Sequence, residues 1–532
     1  LHRPPSRRTT GGTTRRRLLA ATLIAGMSGL FGFAGGCAAP RVVSPDQRKP
    51  IDRKFVEAPG GFELERYAEH LNGPVAMTFD GDGNLIIAEG GLDGSEPRIY
   101  GFTPDQKRFE IYPYRRSFLG IGGSAFRMHG PVGGMVFHEG SLYVSHRDAD
   151  DLGVITALNY KGGHRTVVAG LPARGEHGVT GLAVDPLSGR LFFGVGSATN
   201  AGIVGPDDLE IGWVKKHPGV HDIPYRNGKD DQILLWGRRM NSPNPGAWGL
   251  MPDLAVTGPF QPFGTSSRTR INTASPANPK CNSAICSVRT DGGELKVEAW
   301  GIRNPRGLVF NSFGRLYFTN QGMELRGSRP VKDDPDSFLY LYPTNWYGWP
   351  DYSTDLRPIT EDSFQPPAEL IVPTGYPDLS FLVNHQASDW LMNLKPRDTV
   401  FGVMPSQSGA SGVDFVPDAG PFSRYRGSAI VALFGDRTPF STSGRKTRGP
   451  IGFKVVLVDL SQQTVTDFVR NVKEGPASKN GGDANQLERP VDVKFGPDGA
   501  LYILDFGVAE VVGGGYRVKP GTGRIYRLIP GK

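Results

Sequence analysis

Apolar residues along this chain come in short alternating runs. Six times such a run is followed by a tight Gly/Asp turn and a second apolar run. The segments read PVAMTFDGDGNLIIAE from Pro74, PVGGMVFHEGSLYVSH from Pro131, GVTGLAVDPLSGRLFFGVG from Gly178, NPRGLVFNSFGRLYFTNQG from Asn304, SGVDFVPDAGPFSRYRGSAIVALFG from Ser411 and RPVDVKFGPDGALYILDFG from Arg489. Period-two alternation bounded by turn residues predicts strands, and each segment predicts a hairpin. A strand–turn–strand unit cannot bury both of its faces alone, so units repeated along a chain stack radially. The expectation is an all-β fold, a six-bladed β-propeller with long top-face loop insertions. Its chemistry should sit where the blade-entry loops converge on the axis.

Between the hairpins the spacing is uneven. The widest gap, about 201–287, is rich in Pro, Asn and Gly (MNSPNPGAWG, TGPFQPFGTSS, TASPANPKCNS) with little alternation. It reads as an insertion over the top rim that returns through a hairpin, AICSV–RTDGG–ELKVEAW. A second excursion is expected over 333–405, where Tyr340, Tyr342, Trp346, Tyr347, Trp349 and Tyr352 cluster. The last strand-like segment, GRIYRLIP (Gly523–Pro530), is placed to pair with the region around Phe62–Tyr67 and so close the ring with both chain ends in one blade. The propeller domain is taken as 55–532.

The first 36 residues form a separate unit. Thr14-Arg15-Arg16-Arg17-Leu18-Leu19 opens a modestly apolar run that ends in Ala34-Gly35-Gly36-Cys37. A basic head, a short apolar stretch and small residues before a cysteine describe an export signal with a lipidation site at Cys37. The pair after Thr14 resembles a twin-arginine signal. This predicts an exported cell-envelope lipoprotein, held to a membrane by its lipid, with residues 37–54 as a flexible tether. The signal also accounts for the basic balance. The net charge is +7, and six arginines of the signal carry nearly all of it, which leaves no basic stripe for nucleic acid. Cysteine use is sparse. Cys281 and Cys286 lie close together, and in an oxidising compartment a disulfide between them is expected.

Three loops carry residues fit for chemistry. Arg174-Gly175-Glu176-His177-Gly178 places a histidine, whose ordinary pKa suits general-base work, beside an acid that can polarise it. Trp300-Gly301-Ile302-Arg303-Asn304-Pro305 offers a guanidinium and an amide, a donor set suited to carbonyls and carboxylates. Thr319-Asn320-Gln321-Gly322-Met323 carries a glycine that lets backbone carbonyls face a hard cation.

GIRNPRGLVF, GRLYFTNQG and NWYGWP, in this order, resemble the glucose/sorbosone dehydrogenase family, six-bladed propellers that bind pyrroloquinoline quinone (PQQ) on the axis. EHGVTGLAVDPLSGRLFFGVG and RPVDVKFGPDGALYILDFG…GRIYRL extend the resemblance over roughly 62–528. It implies that His177 is the base that removes the anomeric proton and that Arg303 stabilises charge at the quinone oxygen. It implies that Asn304, Gln321, Arg437 and Arg489 bind the cofactor. Carbonyls of Gly322 and Met323 would hold Ca²⁺, and Trp346 and Trp349 would wall the sugar side. Electrons would leave to an external acceptor, because no haem motif is present. Two positions depart from the family pattern: Ser197 stands where an Asp is common, and Val491 stands where a second cation is expected. Because of them a second reading stays open, a non-catalytic surface propeller that binds a carbohydrate or a protein partner. A Ca²⁺-dependent lactonase is disfavoured, since the loops offer Gly, Arg and backbone where it needs carboxylate and amide ligands.

Overall fold

The structure, a computed structural model, describes residues 38–531 apart from 115–125, 229, 245–252, 268–270, 392–393, 446–448 and 483–484. The export signal and Cys37 therefore lie outside the described residues. Six sheets follow one another along the chain, antiparallel except that Asn345–Trp346 adds a parallel outer strand to the third, and each opens with one of the six repeats. The first blade is built from Pro74–Phe79, Leu85–Glu89, Arg98–Phe102 and Arg108–Tyr112. The second runs from His129–His138 to His164–Leu171. The third joins Val179–Val184 and Leu191–Val195 to Ala284–Val288 and Lys296–Trp300. The fourth starts at Pro305–Phe310, the fifth at Ala410–Phe415 and the sixth at Pro490–Phe495. These six opening strands touch in sequence and back to the start, so they encircle the axis. The protein is a six-bladed β-propeller.

Recurring residues explain the repeated hairpins. In the first blade the Asp80 carboxylate accepts from the amides of Asp82 (3.0 Å) and Asn84 (2.8 Å), which closes the turn before Leu85. Asn311 does the same in the fourth blade with Phe313 (3.0 Å) and Arg315 (2.9 Å). The glycine near the end of each turn, Gly83 at φ 77° and Gly314 at φ 71°, occupies the left-handed region that a side chain disfavours.

Apolar clusters fill the wedges between neighbouring blades. The tightest contacts come from glycines on the opening strands. A Cβ on Gly181 would stand 2.4 Å from the Arg306 carbonyl, one on Gly307 2.2 Å from that of Ser411, and one on Gly412 2.1 Å from Asp492. At these three contacts one blade lets the next approach to a distance that only glycine allows.

The ring closes as the sequence suggests. Phe62–Leu71 pairs antiparallel with Gly523–Pro530, which pairs with Leu501–Asp505. Residues 38–54 are not a loose tether. Arg41–Val42 adds an outer strand to the sixth blade, and the Ile51 amide donates to the Leu64 carbonyl at 2.7 Å. The 333–405 stretch is also less of an excursion than expected. It supplies the third and fourth strands of the fourth blade, Asp336–Tyr340 and Val400–Met404. Alternation is short there, and the aromatic cluster masks it. The 201–287 insertion does leave the blade, carrying two short helices (Pro206–Ile211, Trp213–Lys216) and a small hairpin (Met240–Pro243, Leu254–Thr257). Among the described residues no helix is long and apolar enough to cross a membrane.

Candidate active site

Entry and exit loops of the third and fourth blades meet over the axis in a funnel of about 600 Å³, whose lining includes His177, Arg303, Asn304, Gln321, Gly322 and Arg437. His177 stands at the mouth of the third blade's opening strand. Its Nδ1 lies 3.1 Å from the Ser197 carbonyl, and because a carbonyl only accepts, Nδ1 carries the proton. Nε2 is then the bare nitrogen, 3.8 Å from Glu176 Oε1. Gly196 makes room for the ring, since a Cβ there would stand 2.4 Å from His177 Cβ. Burial drives the His177 pKa down to about 3; Glu176 opposes this, and the Arg303 and Arg437 charges reinforce it. The imidazole is neutral at any ordinary pH.

Arg303 is buried and held chiefly by Asn200. Its Nε donates to the Asn200 carbonyl (3.0 Å) and Nη2 to Asn200 Oδ1 (3.1 Å). Asn304 Nδ2 donates to Gln321 Oε1 (2.7 Å), whose own amide donates to the Ala410 carbonyl (2.9 Å). This chain fixes the Asn304 amide with Oδ1 as an acceptor that is buried and has no partner among the described residues.

Behind His177 lies a buried charge cluster. Glu176 meets Arg326, Arg437 (3.1 Å) and Arg303 (3.8 Å). Arg326 also engages Asp207 and Glu324, and Arg437 returns to Glu324 at 2.9 Å. Burial alone would raise the Glu176 carboxyl, but the surrounding guanidiniums, Arg326 foremost, hold it well below the usual range. Glu324 is likewise brought down to about 2, against burial, by Arg437 and Arg326. Asp207 goes the other way. Burial first, and then the Glu176 charge, push its carboxyl up, so it is the acid of the three that takes a proton most readily. A further buried acid, Asp222 from the long insertion, accepts from the Ala198 amide (2.6 Å) and the Thr199 hydroxyl (2.5 Å). It braces the loop beneath His177 next to the site of Ser197. Burial lifts its pKa to about 7.

No protein-family model matches the chain, and no curated protein does. Solved structures do. The holo PQQ domain of pyranose dehydrogenase from Coprinopsis cinerea shares 14% identity at a TM-score of 0.48, over 90% of this chain and 98% of that one. A family AA12 carbohydrate-active enzyme from Trichoderma reesei shares 13% at 0.46, over 90% and 98%. The PQQ-bound aldose sugar dehydrogenase from Streptomyces coelicolor shares 15% at 0.43, over 89% and 99%. The likeness is one of fold.

Several residues singled out in the sequence stand away from the funnel. Arg489 lies beneath it. Its Nη1 donates to the carbonyls of Phe434 (3.4 Å), Gly435 (3.4 Å) and Asp436 (3.3 Å), and its guanidinium is flanked by the Phe434 and Phe453 rings. Trp346 and Trp349 are core residues packed under the long insertion. Trp349 still touches the site indirectly, since its Nε1 donates to the carbonyl of Asn200 that also receives Arg303 (3.2 Å). The Met323 side chain is buried in the same cluster. Its amide donates to Asp334 (2.7 Å), and that of Gly322 to Asp336 (3.0 Å). Cys281 and Cys286 are two buried free thiols in place of a disulfide. A hydrogen bond with Cys281 and burial push the Cys286 thiol up, and both pack as small apolar groups in the hydrophobic cluster beside Tyr225. Asn200, Asp207, Asp222, Glu324 and Arg326 escaped the sequence reading. Asn200 and Glu324 each lie within a few residues of a motif that it quoted.

The donor set fits a flat, polar, anionic heterocycle. The funnel has the volume of a cofactor-sized site. Arg303 and Asn304 line it, and Asn304 Oδ1 is a buried acceptor without a partner among the described residues. For a metal the chemistry is narrower. Among the described residues no group of three or more His, Cys, Asp or Glu is placed to hold an ion, so a cation here would rest on backbone carbonyls and on the ligand itself.

Proposed function

We propose that the protein is a PQQ- and Ca²⁺-dependent sugar dehydrogenase that oxidises an aldose or sorbosone-type sugar at its anomeric or aldehyde carbon. One observation carries this reading: a histidine with its tautomer fixed presents a bare Nε2 to the same funnel floor as Arg303, Asn304 and Gln321. Arg303, Asn304 and Gln321 would hold the quinone, and the carbonyls of Gly322 and Met323 would hold the cation. Bound PQQ supplies an electrophilic ortho-quinone that accepts a hydride. His177 Nε2 takes the hydroxyl proton of the sugar as its C–H hydride departs, and the resulting imidazolium rests against the Glu176 carboxylate. Ser197 keeps the ring from turning away by accepting the Nδ1 proton. Arg303 would stabilise the negative charge that builds on the reduced cofactor, and its bonds to Asn200 hold it in place beforehand. The two electrons pass on to an external acceptor outside the cytoplasm.

The test is dye reduction by the purified full-length protein across a panel of aldoses and sorbosone, with PQQ and with or without Ca²⁺. Turnover that needs PQQ and is lost on chelation is the expected result. Saturable sugar binding that ignores PQQ would replace this reading with that of a carbohydrate-binding propeller.

A further inference from the structure

Two arginines on the wall of the funnel have no carboxylate to pair with. Arg147 ends the second strand of the second blade, Ser141–Arg147, and lies beside the His177–Gly178 loop; its Nε is 3.8 Å from where a Gly178 Cβ would stand. It is largely buried, and that Nε has no hydrogen-bond partner among the described residues. The nearby acid, Asp151, is already taken by Lys216 (2.5 Å) and His217 (2.7 Å).

Arg306, on the opening strand of the fourth blade, donates from Nη1 to the Gly133 carbonyl of the second blade at 3.2 Å. The third blade stands between those two, so the side chain reaches past it to the second blade's side of the funnel wall. Gly133 has no side chain to meet it; a Cβ there would lie 1.9 Å from the Val179 carbonyl. The matching positions of four other opening strands, Val75, Thr180, Ser411 and Val491, carry no acid. Asp492 lies close by but is engaged with the Met77 amide (2.9 Å), the Val493 amide (2.9 Å) and Lys494 (3.5 Å).

A buried cation without a counter-charge is costly, and a protein tolerates it where a ligand supplies the charge. The two arginines that the sequence nominated are already spent, Arg437 on Glu176 and Glu324, and Arg489 on three carbonyls. We propose that Arg147 and Arg306 are the carboxylate anchors of the funnel, and that Arg306 supplies from the fourth blade the charge that Val491 does not supply from the sixth. The identity of the ligand, the tricarboxylate PQQ, rests on the function proposed above. The anchoring does not.

The experiment measures PQQ affinity by absorbance titration of the full-length protein with Ca²⁺, for the wild type, Arg147→Gln, Arg306→Gln and the double variant, with near-UV circular dichroism as the control for folding. Losing a charge-assisted pair raises Kd about tenfold or more for each single variant. The trimethyl ester of PQQ serves as a second readout: the wild type prefers the free acid, and the double variant binds both alike. Arg306→Lys, which keeps the charge but not the fork, should fall between the wild type and the Gln variant. Benzene-1,3,5-tricarboxylate, followed by its thermal shift, separates the two claims. If it stabilises the wild type and not the double variant while PQQ binds neither, the anchors stand and the cofactor is wrong. Wild-type PQQ affinity in folded Gln variants overturns the anchors. A wild type that binds neither anion overturns both claims.

Discussion

His177 is a base whose resting pKa of about 3 is far below that of an optimal general base, and the cause is its surroundings rather than its own chemistry. Burial dominates and two guanidiniums assist. A polyanionic ligand in the funnel offsets those guanidiniums and raises the ring's pKa, so ligand binding at acid pH should take up protons. Calorimetry in buffers of different ionisation enthalpy reads this directly, and an enthalpy independent of buffer would refute it. Linkage in the empty protein has a definite sign. The folded pKa lies below the unfolded value of about 6.5, so unfolded chains hold the proton between the two. The stability contributed by neutral His177 is complete above about pH 6.5 and is lost as pH falls toward 3. His177→Gln should therefore lose less stability on acidification than the wild type in urea titrations, and it should lower turnover by about 10²–10⁴ while leaving cofactor affinity intact. Arg326 is the most exacting residue of the cluster. Arg326→Met strands Glu176, Glu324 and Asp207 without their shared cation, and the expected loss is about 3–5 kcal/mol by chemical denaturation. A loss under about 1 kcal/mol would mean that the acids simply take up protons instead.

At the scale of strands and loops, the hairpins were legible in the sequence because their causes are local. An acid or amide such as Asp80, Asp185, Asn311 or Asp498 caps the turn, a glycine takes the left-handed position, and alternation marks the buried face. The blade-entry loops around His177, Arg303 and Gln321 were legible as motifs for the same reason. What stayed hidden depends on convergence. Glu324 and Arg326 carry no local signal that the fold brings Glu176 against them, and Asp222 sits in an insertion without alternation. Arg489 and Trp346 misled in the opposite direction, since residue type alone does not say whether a side chain faces the funnel or the core. The glycines of the opening strands yield a prediction of their own. Gly181→Ala forces a Cβ to 2.4 Å from the Arg306 carbonyl and pries the third blade from the fourth. It should cost about 1–3 kcal/mol, as overpacking does. It should also weaken ligand binding, because it shifts the strand that carries Arg306. Unchanged denaturation midpoints would show that the ring relaxes freely.

In the molecule as a whole, the sixth blade is assembled from both ends of the chain: Phe62–Leu71 lies between Gly523–Pro530 and Arg41–Val42. Removing residues 523–532 strips that blade of its middle strand, and the truncated protein should lose cooperative unfolding altogether rather than a few kcal/mol. A sharp thermal transition in it would contradict this. The same arrangement sets an order in time. As the chain leaves the ribosome, Phe62–Leu71 is made well before its partner Gly523–Pro530, with the first five blades in between. Until then a ten-residue strand with a buried-type face has an open ladder on the side of its missing neighbour. The newborn protein must therefore keep this edge from pairing elsewhere until Gly523–Pro530 arrives to close the ring.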